Sequence, residues 1–350
     1  MLEIGVLCSV TVLLAVYFRW GFSSLPAEKW QILAALPSVK NDSRGWQGTN
    51  LTWYGLLTAN AYLVAVAVFL VLMGSVGVPT HAALLLVVAL LGCCVPASRL
   101  VARLVEKKAH TFTVGGAVFV GILVAPVLIA LLNRTTGAAW SFHIPAMAAC
   151  AAMAIAYSFG EGLGRLACIS FGCCYGKPLS SCSGWLRRLF EGRCFTFFGN
   201  TKKIAYAGGL EGAQVIPIQA VTSLLYTFCG LLATGLFLAG HFSSAFLLAI
   251  ISTQLWRSLS ETLRADYRGA GRISAYQIMG LLAVAYSIAT VVFFPVEIIA
   301  LPKLALGLAS IWSAPQILFL QGVWLVILLY TGLSTVTGAT LSFHVHRDRI

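Results

Sequence analysis

Residues 52–73 read TWYGLLTANAYLVAVAVFLVLM, a run without a single Asp, Glu, Lys or Arg. A helix rises about 1.5 Å per residue, so about 20 such residues cross the roughly 30 Å of bilayer hydrocarbon. A barrel strand would alternate apolar and polar positions, and this run does not. The stretch therefore reads as a membrane-spanning helix.

Working outward from it, similar runs recur near 2–18, 82–104, 113–132, 144–160, 216–239, 244–262, 273–294 and 316–338. The chain has 350 residues, of which 59% are hydrophobic and 10% charged, whereas soluble domains carry roughly 25% charged residues. A water-soluble globule is excluded. The fold class expected is all-α, a polytopic transmembrane helical bundle. Two connections are long, 19–50 and 161–215, and the second reads as a small head on one membrane face. Glu3 before the first span and Arg19 after it, with no small-residue cleavage pattern, mark that span as an anchor.

The formal charge of +12 would elsewhere suggest a nucleic-acid face, but here Lys and Arg sit in short loops between spans, so no nucleic-acid partner is expected. If all nine spans cross, Arg134 and Lys303 fall on one side and Arg257 inside a span, which leaves 20 of the 23 Lys and Arg on the side of the head. The positive-inside rule assigns that side to the cytoplasm.

Two stretches carry candidate chemistry. The first runs from Gly160-Glu161-Gly162-Leu163-Gly164-Arg165 to Gly172-Cys173-Cys174-Tyr175-Gly176-Lys177. Its glycines permit unusual dihedrals and close backbone approach, and Arg165 and Lys177 bring cations to the apolar boundary, where a lipid head group could sit. The bland alternative is close helix packing by small residues. In the second, Arg257, Glu261 and Arg264 are spaced i, i+4, i+7 on one helical face, extended by Gln254 and Arg268, with Glu261 the natural partner of Arg257. A charged residue inside a span marks a site by default.

The spacing of Cys168, Cys173, Cys174, Cys182 and Cys194, C-x4-C-C-x7-C-x11-C, matches no standard zinc pattern, so neither a metal nor a cofactor is expected and a disulfide in the head is favoured. His81, His110, His143, His241, His344 and His346 lie near span ends or in the tail, with His110 and His143 able to approach a site.

The ordered features resemble the prolipoprotein diacylglyceryl transferase family. Thr52-Trp53-Tyr54-Gly55-Leu56 looks like its R-W-Y-G-L, Ala97-Ser98-Arg99-Leu100 like G-A-R-L, and Val114-Gly115-Gly116 falls where it has H-G-G. Gly164 to Gly176 is similar to G-R-x-G-N-F-x-N-G-E-x-x-G, and Ile216-Pro217-Ile218-Gln219 to H-P-[ST]-Q. Arg257, Glu261 and Arg264 match R-x3-E-x2-R, and Ile273 to Gln277 resembles I-S-M-G-Q. The resemblance covers about 50–294. It divides the chain into an extra span and loop at 1–50, a transferase-like membrane domain at 51–294 and an extra span with a basic tail at 295–350, that is, seven family-like spans plus one at each end.

What the resemblance implies is transfer of a diacylglyceryl group from phosphatidylglycerol to the lipobox cysteine thiol of prolipoproteins, with the lipid bilayer and prolipoprotein signal peptides as partners. Arg165, Arg257 and Glu261 would be catalytic, and Tyr54, Arg99, Gly115, Gly116, Gly176, Gln219 and Arg264 would bind substrate. The departures are Val114 and Ile216 for histidines, Cys168 and Phe171 for asparagines and Cys173 for the signature glutamate. Two alternatives follow from them: a phospholipid-binding or transport protein without catalysis, and a thiol-redox protein built on Cys168, Cys173 and Cys174. A plasma-membrane location is expected, with the head outside the cytoplasm, against the charge count.

Overall fold

The computed structural model describes all residues except 42–44, 107–113, 267–272 and 295–296. His110 and Arg268, singled out from the sequence, lie outside the described residues. The described residues form a bundle of nine long helices: α1 (Leu2–Ser24), α2 (Trp53–Ser75), α3 (Thr80–Val101), α4 (Val114–Leu132), α5 (Ala146–Phe171), α6 (Ile218–Leu238), α7 (Phe242–Ser260), α8 (Ala275–Phe293) and α9 (Ala314–Gly332). By length and composition eight helices of the described residues could cross a membrane; α7 is the ninth long helix, and its Thr253, Gln254 and Arg257 lower its hydropathy.

Helix α5 is the centre of the bundle. Its most apolar window is 72% buried, against 6% for α1 and for α9. It packs on α2, α6 and α7, and small residues set how closely: a Cβ on Gly160 would press on Ala65 of α2, and one on Gly162 on Thr227 of α6. The packing reading of the 160–164 glycines is thus realised. The head was expected to begin at 161, but α5 continues through Phe171 and ends where Gly172 takes φ +66°. Cys173 N–H then donates to Cys168 O at 3.0 Å, the six-to-one bond of a Schellman cap, which is why the stop falls at that glycine.

Peripheral helices dock by similar means. On α9, Gly332 lies against Gly55 of α2, and Trp324 Nε1 donates to Asn60 Oδ1 at 2.8 Å. A short helix, Leu304–Ile311, packs on the far end of α2, where Gly307 meets the backbone of Val71.

One element was not legible as such. β1 (Ile32–Lys40), β2 (Gly45–Thr52) and β5 (Leu333–Ser342) form an antiparallel sheet with β2 in the centre, while β3 (Phe195–Thr196) and β4 (Gln214–Val215) pair within the head. The span expected to reach 338 ends at Gly332. There the chain turns to strand because Val336, Thr337 and Thr340 suit a pleated surface and β2 offers a paired edge, with Leu51 opposite Leu333 and Gly45 opposite Ser342. β2 runs directly into α2, whose cap is Thr52.

Candidate active site

The site lies where the head meets the bundle. On α5, Glu161 and Arg165 are one turn apart and form an ion pair. Their side chains are 11% and 13% exposed. The same oxygen, Glu161 Oε1, lies 3.9 Å from Nη1 of Arg257 near the end of α7. The Arg257 guanidinium sits over the ring of Tyr276 on α8, 5.7 Å from its centroid. On α4, Gly115 leaves the space this guanidinium fills, since a Cβ there would collide with Arg257 Nη2 and with Tyr276. Four helices therefore fix one cation.

Helix α7 ends at Ser260 and a 3-10 turn, Glu261–Leu263, follows. The helical register still reaches Glu261, whose backbone N–H donates to Arg257 O. Glu261 Oε1 lies 3.7 Å from Arg264 Nη1, and a second carboxylate, Glu161, comes within ion-pair reach of Arg257 from α5. Arg264 itself is extended and bridges Gly176, with Lys177 N–H donating to Leu263 O at 2.9 Å and Ala265 N–H to Tyr175 O at 3.1 Å. Gly176 is required at this crossing because a Cβ would strike the carbonyl oxygen of Ile216. Arg264 donates to both carboxylate oxygens of Asp266, Nε to Oδ1 and Nη2 to Oδ2, each at 2.8 Å. Burial works against the Arg264 charge, but the neighbouring Cys174 and the bond to Asp266 outweigh it and hold its pKa well above the ordinary guanidinium value.

Arg165, Arg257 and Arg264 line one narrow cavity with Cys174, Ile218, Gln219, Thr222, Tyr226 and Ser260. Gln219 is 1% exposed, and its Nε2 donates to Cys173 O at 2.9 Å. Tyr226 donates to Thr253 O at 2.7 Å and so ties α6 to α7. Among the described residues, the buried atoms Arg165 Nε, Gln219 Oε1 and Gln254 Nε2 have no hydrogen-bond partner. Leaving a buried polar atom unmet costs about 1–3 kcal/mol, and native structures rarely do so. Two of these atoms, Arg165 Nε and Gln219 Oε1, belong to residues of the cavity wall, and a cavity with three guanidinium groups, an unmet donor and an unmet acceptor is suited to a phosphate ester, which guanidinium groups bind bidentately.

Of the residues expected at a site, the fold brings Arg165, Arg257, Arg264 and Gln219 to the cavity wall, and Gly115 and Gly176 shape it. Gly116 is buried beside Gly115 in α4. Tyr54 packs edge-on against Phe171, 5.6 Å between centroids, and interacts with Cys173, Cys168 and Cys174, so it faces the cysteine side. Arg99 is exposed on α3 and is not among the lining residues. Glu161, Asp266 and Tyr226 were missed as site residues. Glu161 was the legible one, because it stands four residues before Arg165 and pairs with it once the helix is read through to Phe171.

Among the described residues no histidine lines the cavity. His143 instead pairs with Glu297 at 2.8 Å, and His81 packs on Phe142. The disulfide expected in the head is absent: none of the ten cysteines is bonded to another.

No curated protein matches the chain. A family model does match, over residues 46–293, a segment that contains α2 to α8 with the whole arginine cavity and leaves out α1 and α9. The chain is a multi-pass helical membrane protein that belongs to the prolipoprotein diacylglyceryl transferase family.

Proposed function

We propose that this protein transfers the diacylglyceryl group of phosphatidylglycerol to the lipobox cysteine thiol of prolipoproteins, with Arg165 and Arg257 as the catalytic cations. The observation that carries this reading is the convergence of three buried guanidinium groups on one cavity that retains unmet polar atoms. In the reaction the thiol sulfur attacks the terminal glyceryl carbon, a C–S bond forms, the C–O bond to phosphate breaks and glycerol phosphate leaves. The charge that develops on the leaving phosphate is what Arg165 and Arg257 stabilise, and a single donor aimed at such a charge is worth about 10²–10³ in rate. Glu161 holds both guanidinium groups in place, Arg264 and Gln219 bind the head group, and the acyl chains lie toward the bilayer.

Val114, which precedes Gly115 at the start of α4, stands where the family has a histidine. The acceptor supplies much of its own reactivity, because a thiol near pKa 8.5 is a few per cent thiolate at pH 7. The test is incubation of the purified protein with labelled phosphatidylglycerol and a lipobox peptide, followed by mass spectrometry for the thioether-linked diacylglyceryl peptide. Product supports the transferase reading. Binding of the lipid without product favours the second reading, a phospholipid-binding protein without catalysis, which Val114 motivates.

A further inference from the structure

Beyond the end of α5 the chain takes two left-handed turns within three residues. Gly172 has φ +66° and Cys174 has φ +57°. For a residue with a Cβ this conformation is uncommon and strained, so something in the fold holds it. Its result is convergence: the sulfur atoms of Cys168, Cys173 and Cys174 all lie within 4.8 Å of one another. The turn is pinned from outside by Gln219, which donates to Cys173 O at 2.9 Å. Arg165 Nη1 lies 3.9 Å from Cys168 Sγ and brings positive charge to the same place.

We propose that these three cysteines bind a soft, thiophilic metal ion as thiolates, with Cu(I) as the ion that fits. A closed structural zinc site takes four protein ligands. Here the group comprises three sulfurs and no His, Asp or Glu among the described residues. Thiolates select soft ions, and a planar set of three is a coordination that Cu(I) accepts without a fourth ligand. Three thiolates and one Cu(I) carry a net charge of about −2, which Arg165, and Arg264 through its interaction with Cys174, offset. Binding converts three S–H groups to three S–Cu bonds and releases three protons without change of oxidation state, so affinity rises with pH. The site borders the arginine cavity, which Cys174 also lines, but its test needs neither the transfer reaction nor its lipid.

The test is anaerobic titration of the full, reduced, detergent-purified chain with Cu(I) against a chromogenic Cu(I) chelator. One equivalent is expected to be withheld, with a sulfur-to-copper charge-transfer band in the ultraviolet. Cys168→Ser or Cys173→Ser should weaken binding by more than about 100-fold, beyond what loss of an outer-shell partner does. A variant with the other seven cysteines replaced by serine should bind as the wild type does. X-ray absorption at the copper edge of the wild type needs no variant and should show three sulfur neighbours. No withheld copper, unchanged binding by Cys168→Ser, or a shell with fewer than three sulfurs would each overturn the proposal.

Discussion

Glu161 Oε1 on α5 stands 3.9 Å from Arg257 Nη1 on α7 while it also pairs with Arg165 on its own helix. One carboxylate thus ties together the two cations proposed to carry the chemistry. A buried cation that loses its partner is strongly destabilising, by about 3–5 kcal/mol. Glu161→Gln should therefore lower the thermal midpoint in neutral detergent. Added phosphatidylglycerol, whose phosphate replaces the lost negative charge, should restore more of it than phosphatidylcholine does. Equal effects of the two lipids would show that the cavity does not take an anionic head group.

Arg257→Ala and Arg165→Ala are expected to reduce transfer to the lipobox peptide by about 10²-fold or more. Leu259→Ala, on the exposed side of α7, should leave the rate within about twofold, since isolated surface changes are worth about ±0.5 kcal/mol. Comparable rates in all three variants would remove the arginines from the mechanism.

Gly115→Ala gives a sharper probe of geometry. The new methyl group would meet the Arg257 guanidinium and the Tyr276 ring. The end of an arginine can swing aside, so the fold should survive with little loss of thermal stability. A cation misplaced by about 1 Å costs roughly 10²-fold in rate. Wild-type turnover by a stable Gly115→Ala protein would show that the position of Arg257 is not critical.

Lys202 in the head is fully buried, and its Nζ donates to Leu25 O at 3.0 Å and to Ser170 O at 2.7 Å, which ties the ends of α1 and α5 together. Burial lowers its pKa from 10.5 to about 8, against the opposing pull of Glu28. The folded protein thus binds fewer protons than the unfolded chain between about pH 8 and 10.5, and in that window stability rises with pH. Thermal midpoints measured across the window should show this rise in the wild type, and Lys202→Met should flatten it while lowering stability at pH 7.

Orientation follows from the proposed substrate, because prolipoproteins are met outside the cytoplasm. Twenty of the 23 Lys and Arg nevertheless lie on the head side once Arg134, Lys303 and Arg257 are set apart. With the native cysteines replaced, Ser183→Cys on the exposed part of the head should react with a membrane-impermeant maleimide added to intact cells. Labelling only after the membrane is opened would place the cavity on the cytoplasmic side and require a cytoplasmic acceptor thiol.

The helical bundle was determined by the sequence alone, because burial in lipid leaves long apolar runs such as 52–73 no other way to satisfy their backbone. The arginines were legible for a related reason: a charge such as Arg257 inside a span is costly enough to mark itself. What else partners it was not legible. The i, i+4 rule pointed to Glu261 on the same segment, and such a rule cannot see a partner on another helix. Packing of α5 on α7 brought Glu161 within reach as well. The sheet was likewise decided by tertiary structure, since β5 is a strand only because β2, far away in sequence, offers it an edge. Linear spacing hid the thiol cluster as well, because the approach of Cys168, Cys173 and Cys174 depends on two left-handed turns that ligand spacing does not encode.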